Sequence, residues 1–286
     1  MRNHLVNLHK QAGLSLIELM IAVTIGLFLL SGIATSYITS VKSSSNRDQS
    51  SMLEDNARLA LEVITNSLQH TGYASGKTIQ NRFVERQAEI IEENCGSGIQ
   101  NVEDNNIFPD RATFDVKDAA NVETGDSITS VYYGDNRLNT DCAGGLLELD
   151  CQLASGVNEN AKIYNSFFLA KDANDSLMCA GSKQTEQQVV AEGIENIQIL
   201  YGVDSGTDAD PHIKIDRFVN AKELFDNDLE DSVVSIQVAI LVRSLLPVNT
   251  KVESKTYKLL DTEYKSANDK YRREVFTTTI RLRNTL

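Results

Sequence analysis

One carboxylate sits inside an apolar run and asks first for an explanation. Residues 14–38 read LSLIELMIAVTIGLFLLSGIATSYI, and Glu18 is the single charge among them. A carboxylate near the end of such a span is costly unless it is paired or reaches an interface. Glu18 therefore snorkels to headgroups, takes up a proton, or pairs with a cation inside an assembly. Four cysteines, Cys95, Cys142, Cys151 and Cys179, are the next reactive groups, and none has CxxC spacing. Outside the cytoplasm they would pair as disulfides, with three complete pairings open; buried free thiols are the alternative. Asp204, Asp208 and Asp210 lie in VDSGTDADP, where oxygen ligands around a Gly could hold calcium. The spacing is not that of an EF-hand, and a solvated acidic turn is the simpler reading. The histidines, His4, His9, His70 and His212, form no metal-spaced pair, and the sequence holds no GxSxG, GxxxxGK[ST] or HExxH. No cofactor and no enzyme activity is expected from these residues.

The elements that must carry these groups follow from periodicity. The apolar run is 25 residues, about 37 Å as a helix, long enough for a bilayer core. The preceding MRNHLVNLHKQAG is short and basic, so it stays cytoplasmic and the bulk of the chain faces outward. A signal peptide would have a shorter core followed by a small-x-small site. Here the run passes without a turn into an amphipathic pattern, in which Leu53, Ala57, Ala60, Ile64 and Leu68 form one stripe. Gly72 is the expected stop, giving a helix from Leu14 to His70.

Beyond the helix, residues 72–125 are rich in Asn, Asp, Glu and Gly and read as loops with short strands. Strand signals then recur at Ser127–Tyr133, in Ser166–Ala170 and Ser176–Cys179 flanking a turn, at Ile197–Tyr201, and at the ends of the chain. Val234, Ile236, Val238, Ile240 and Val242 keep a period of two, as do Phe276, Thr278, Ile280 and Leu282. Residues 247–272 hold Pro247 and many charges and read as a solvated loop. Strands after one long helix, without βα alternation, imply an α+β fold: a long N-terminal helix, half anchor and half amphipathic, packed on an antiparallel sheet head. The boundaries are a leader at 1–13, an anchor at 14–38, an amphipathic half at 39–72 and a head at 73–286.

The chain has 286 residues and a net charge of −13, and the basic residues Arg2 and Lys10 are the only charges in the first thirteen. A surface this acidic repels nucleic acid.

Gly13-Leu14-Ser15-Leu16-Ile17-Glu18-Leu19-Met20-Ile21-Ala22 resembles the processing motif of type IV prepilins. The resemblance implies cleavage between Gly13 and Leu14 by a prepilin peptidase, N-methylation of Leu14, and a role for Glu18 in pairing with an N-terminal amine during assembly. Leu14 stands where that family usually has Phe, and the anchor lacks the proline of many major pilins. The runs Ile194–Asp204, Ile215–Val219, Val234–Ser244 and Arg273–Asn284 are similar to the head of PilW-type minor pilins. With the N-terminus, this likeness touches most of the chain outside 75–125. It implies a pilin-like minor pilin that primes assembly or sits in a tip complex. Its partners would be other minor and major pilins, prepilin peptidase, the inner-membrane assembly machinery and membrane lipid. It would sit in the inner membrane with its head outside, then reach the pilus. A type II secretion pseudopilin of the J type and an uncleaved membrane-anchored binding protein are the alternatives.

Overall fold

The computed structural model describes residues 15–73, 125–135, 137–146, 151–152, 158–159, 162–170, 175–181, 187–204, 206 and 214–284. The chain divides into two compact units, Met1–Asp48 and Gln49–Leu286.

The first unit is helical. It contains the start of α1, Leu16–Gln69, a helix of 54 residues against the 57 expected. Its apolar side chains, from Leu16 to Val41, are exposed. Hydroxyls in this stretch bond back to the helix itself. Thr24 Oγ1 donates to the Met20 and Ile21 carbonyls, and Thr39 Oγ1 donates to the Thr35 carbonyl at 2.8 Å. Spent in this way, they add no unpaired polar group to an otherwise apolar surface.

The second unit begins with the rest of α1. The expected stripe is buried in full: Leu53 is 2% exposed, and Ala57, Ala60, Ile64 and Leu68 are 0%. The alanines leave room for close approach of the helix to the strands beneath. Polar contacts fix its height. The Leu246 N–H donates to Gln49 Oε1, Asn56 Nδ2 to the Glu192 carbonyl, and Arg272 Nη1 to Ser50 Oγ. The helix ends where Gly72 takes φ 75°, a conformation open to Gly without steric cost, and Gly72 N–H turns to the Val131 carbonyl.

The strands are β1 Ile128–Tyr133, β2 Cys151–Gln152, β3 Asn158–Glu159, β4 Lys162–Ala170, β5 Ser176–Gly181, β6 Gln188–Ala191, β7 Ile194–Val203, β8 Arg217–Val219, β9 Val233–Arg243, β10 Thr256–Leu259, β11 Thr262–Lys265 and β12 Arg273–Arg281, with a short helix α2 at Ala221–Asp226. One antiparallel sheet runs β1-β4-β5-β6 and another β12-β9-β7-β8; β2-β3 and β10-β11 are hairpins. Inward residues of both sheets and the α1 stripe share one core, in which Ile197, Ile199 and Tyr201 of β7 face Ile240, Val238 and Ile236 of β9. The fold is α+β, a long N-terminal helix packed on antiparallel strands, as expected.

Two local expectations change. Register shifts in the β7–β9 pairing between Gly202 and Val203, so Val233 rather than Val234 enters the main core. Residues 247–272 are not a loop. They fold back as β10–β11, and Leu259, 0% exposed, packs with Tyr257 and Tyr264 on Ala239 and Leu241. The strand β9 is therefore buried on both faces, which its own alternation did not suggest.

A paired-charge network locks the same region. Arg273 grips Glu195 through Nε–Oε2 and Nη2–Oε1 at 2.5 and 2.9 Å, and Asp269 through Nη1–Oδ1 and Nη2–Oδ2 at 2.7 and 2.6 Å. Its side chain is 2% exposed. Burial works against the Arg273 charge, but the bonds from both carboxylates outweigh it and raise the guanidinium's pKa. Asp269 is held below the ordinary carboxylate value, first by the Arg273 hydrogen bond. Arg243 adds a bond to Asp175 at 2.7 Å and lies 4.6 Å over the Tyr271 ring.

Candidate functional site

The start of α1 carries the first candidate. The Ser15 N–H donates to Glu18 Oε2 at 3.0 Å, and Ser15 Oγ accepts from the Ile17 N–H at 3.3 Å. Ser and a Glu three residues later satisfy free amides of the first turn in this reciprocal way, a capping box. The S-x-x-E pattern was readable in the sequence, and it gives Glu18 a local partner that reading the span alone did not. The carboxylate is thus turned toward the first residues of the helix, one position from Leu14. Gly13 and Leu14 themselves lie outside the described residues.

In the head, Cys142 and Cys179 form a disulfide, tying the turn after β1 to β5 across 37 residues. Cys179 is fully buried. Cys95 lies outside the described residues, as does the side chain of Cys151. The bonded turn is braced by Asp141, whose Oδ1 accepts from the Ala143 and Gly145 N–H groups at 3.1 and 2.7 Å, and by Asn165, whose Oδ1 accepts from the Cys142 N–H at 2.8 Å. A Cβ on Gly181 would fall on the Asp141 carboxylate, so any larger residue there would have to displace that side chain from the turn it braces. Asn165 Nδ2 in turn donates to Ser67 Oγ on α1 at 3.0 Å. The bond therefore sits in a satisfied polar cluster that joins helix, turn and sheet.

The acidic loop offers less. Asp204 Oδ1 accepts from the Gly206 N–H at 2.9 Å and Oδ2 from the Lys214 N–H at 3.1 Å, so both oxygens serve the loop's backbone. Asp208 and Asp210 lie outside the described residues. Among the described residues no group of three or more His, Cys, Asp or Glu is placed to hold a metal.

The comparisons with known proteins bear on both ends of the chain. Residues 166–284, from β4 past β12, match the model of the family described as type IV pilus-assembly protein W. Residues 8–34 match that of the prokaryotic N-terminal methylation motif. The chain is thus similar to type IV pilus-assembly protein W over most of its head strands and to the methylation motif over its anchor. The two matched segments are the two candidate regions already described, the anchor with Glu18 and the head with its core strands. No curated protein matches the chain. Among solved structures it is similar to the type IV-like pilin TTHA1219 from Thermus thermophilus, at 12% identity, with 82% of this chain and 96% of that chain covered and a TM-score of 0.40. The N-terminal motif and the apolar part of α1, long and apolar enough to cross a membrane, indicate membrane anchoring.

Proposed function

We propose that this minor pilin is made as a prepilin, cut between Gly13 and Leu14 and N-methylated at Leu14, and held in the inner membrane by α1 with the head outside. It then joins other minor and major pilins through the apolar helix, in priming assembly or in a tip complex, with a structural rather than catalytic role. The methylation-motif match over residues 8–34, running directly into an apolar helix that begins Ser15-x-x-Glu18, is the observation that carries this reading.

Glu18 is the residue on which docking would turn. Removal of the leader would leave a cationic amine on Leu14, next to the Ser15 N–H that Glu18 already accepts. A unit charge pair at 4 Å is worth about 4 kcal/mol at an effective dielectric of about 20. The capping hydrogen bond is worth about 1 kcal/mol. An amine, from the same chain or a neighbour, would therefore outcompete the cap and set the register of packing. Intact mass and N-terminal sequencing of protein from native membranes test the processing: the expected chain starts at N-methyl-Leu14, and a chain starting at Met1 overturns it. Glu18→Gln, which keeps a capping acceptor but no charge, is expected to reduce incorporation into pili at least tenfold. Unchanged incorporation would remove Glu18 from the assembly step.

A further inference from the structure

An open cleft of about 750 Å³ lies at the C-terminal end of α1. Its walls are Gln69 and His70 from the helix end, Tyr73 just after it, Asp135 and Arg137 from the turn after β1, and Arg283 from the tail after β12. Three features give it a chemical character.

First, the one carboxylate that lines it among the described residues is already engaged. Asp135 accepts from Tyr73 Oη at 2.7 Å through Oδ2, and from the Arg137 and Leu138 N–H groups at 2.7 and 2.9 Å through Oδ1. The carboxylate is held below its ordinary pKa, first by the Tyr73 hydrogen bond, so it stays an acceptor that shapes the turn. The terminal carbonyls of α1, which would repel an anion, are met by Asn284, whose Nδ2 donates to the Gln69 and Thr71 carbonyls at 3.5 and 3.2 Å. Second, Arg137 and Arg283 are exposed and make no ion pair among the described residues; Arg58 and Arg281 share that state, but Arg137 and Arg283 are the two arginines that line the cleft. Arg137 also lies in the field of Asp135, so in a chain of net charge −13 the cleft gathers two guanidiniums against one carboxylate. Third, the remaining walls suit a hydroxylated ring. Tyr73 and His70 bring two aromatic rings to the lining, with His70 6.0 Å from the Tyr132 ring, and the Gln69 carboxamide carries a donor and an acceptor.

We propose that this cleft binds an acidic saccharide, a short sugar chain whose carboxylate sits between Arg137 and Arg283 while its ring stacks on the Tyr73–His70 wall. The volume is several times that of a lone tetrahedral anion, and a forked guanidinium matches a planar carboxylate. Among the described residues no strand lines the cleft to take up a peptide backbone. The site does not depend on cleavage at Gly13, and its failure would leave the pilin reading intact.

The test uses the full chain in a polyoxyethylene detergent, titrated with trigalacturonate, with its neutral methyl ester, with sulfate and with hexaglutamate, followed by saturation-transfer NMR and calorimetry. Trigalacturonate is expected to bind, with the neutral ester weaker by about tenfold. Arg137→Ala and Arg283→Ala each weaken it about tenfold, with the melting temperature unchanged because both side chains are exposed. Arg137→Lys is expected to recover only part of the loss. Absence of trigalacturonate binding, or binding that survives both alanine variants, overturns the proposal. So does sulfate or hexaglutamate binding as tightly as the sugar.

Discussion

At the scale of single residues, charge is placed with care in this protein and two arginines show it in opposite ways. Arg273 is sealed between Glu195 and Asp269, and Arg283 is left open. Removing one partner of a buried pair strands the other, at about 3–5 kcal/mol. Arg273→Ala is therefore expected to lower the melting temperature of the head by on the order of 10 °C, read by circular dichroism. The acid limb of stability reports the same network. Asp269 titrates below its ordinary value of 3.8 because Arg273 holds it charged. Its contribution is complete above that value and is lost as pH falls through the lower value of the folded state. Asp269→Asn is expected to reduce stability at neutral pH and to flatten its decline in acid; an unchanged decline would assign the acid sensitivity elsewhere. Glu18 was legible in the sequence because a charge within an apolar run has no neutral explanation. Glu195 and Arg273 were not, because they stand 78 positions apart and meet only through the register of β7, β9 and β12. Arg137 and Arg283 escaped for the same reason, and an exposed arginine carries no local signal.

At the scale of elements, the amphipathic half of α1 was legible residue by residue, because a single-faced stripe on a helix has one solution. Its alanines are the tight points. Ala60→Leu adds volume to a fully buried site and is expected to cost about 1–3 kcal/mol, seen as a lower denaturation midpoint with an unchanged slope. If Ala60→Leu is neutral, the helix is less firmly seated than its burial implies. The hairpin β10–β11 was not legible. Its run TYKLLDTEYK alternates, but lysines and acids are as many as its apolar residues, and its turn has no Gly or Asn. Leu260 takes φ 53° there instead, a conformation a branched side chain adopts only when packing on both sides requires it. The packing of Leu259 on Leu241 supplies that requirement, and it exists only once β9 is in place.

At the scale of the whole molecule, the chain joins a lipid-compatible helix to a head stapled by Cys142–Cys179. Closing a loop of 37 residues is worth about 4 kcal/mol by chain entropy. Cys142→Ser is expected to lose most of that, measured as the shift in midpoint between the variant and the oxidised parent; an unchanged midpoint would show that the bond adds nothing to stability. Folding order follows from the sheet. The strand β9 is flanked by β7, made before it, and by β12, made some thirty residues after it, and Ile280 and Leu282 close the core from that last strand. A polypeptide emerging in N-to-C order therefore presents β9 with one neighbour filled and the other vacant until β12 follows. For that interval a long Val- and Ile-rich edge stands open, the kind that recruits foreign strands. Until β12 arrives, β9 is thus the part of the head most open to pairing with another chain, and the last strand to be made is the one that closes it.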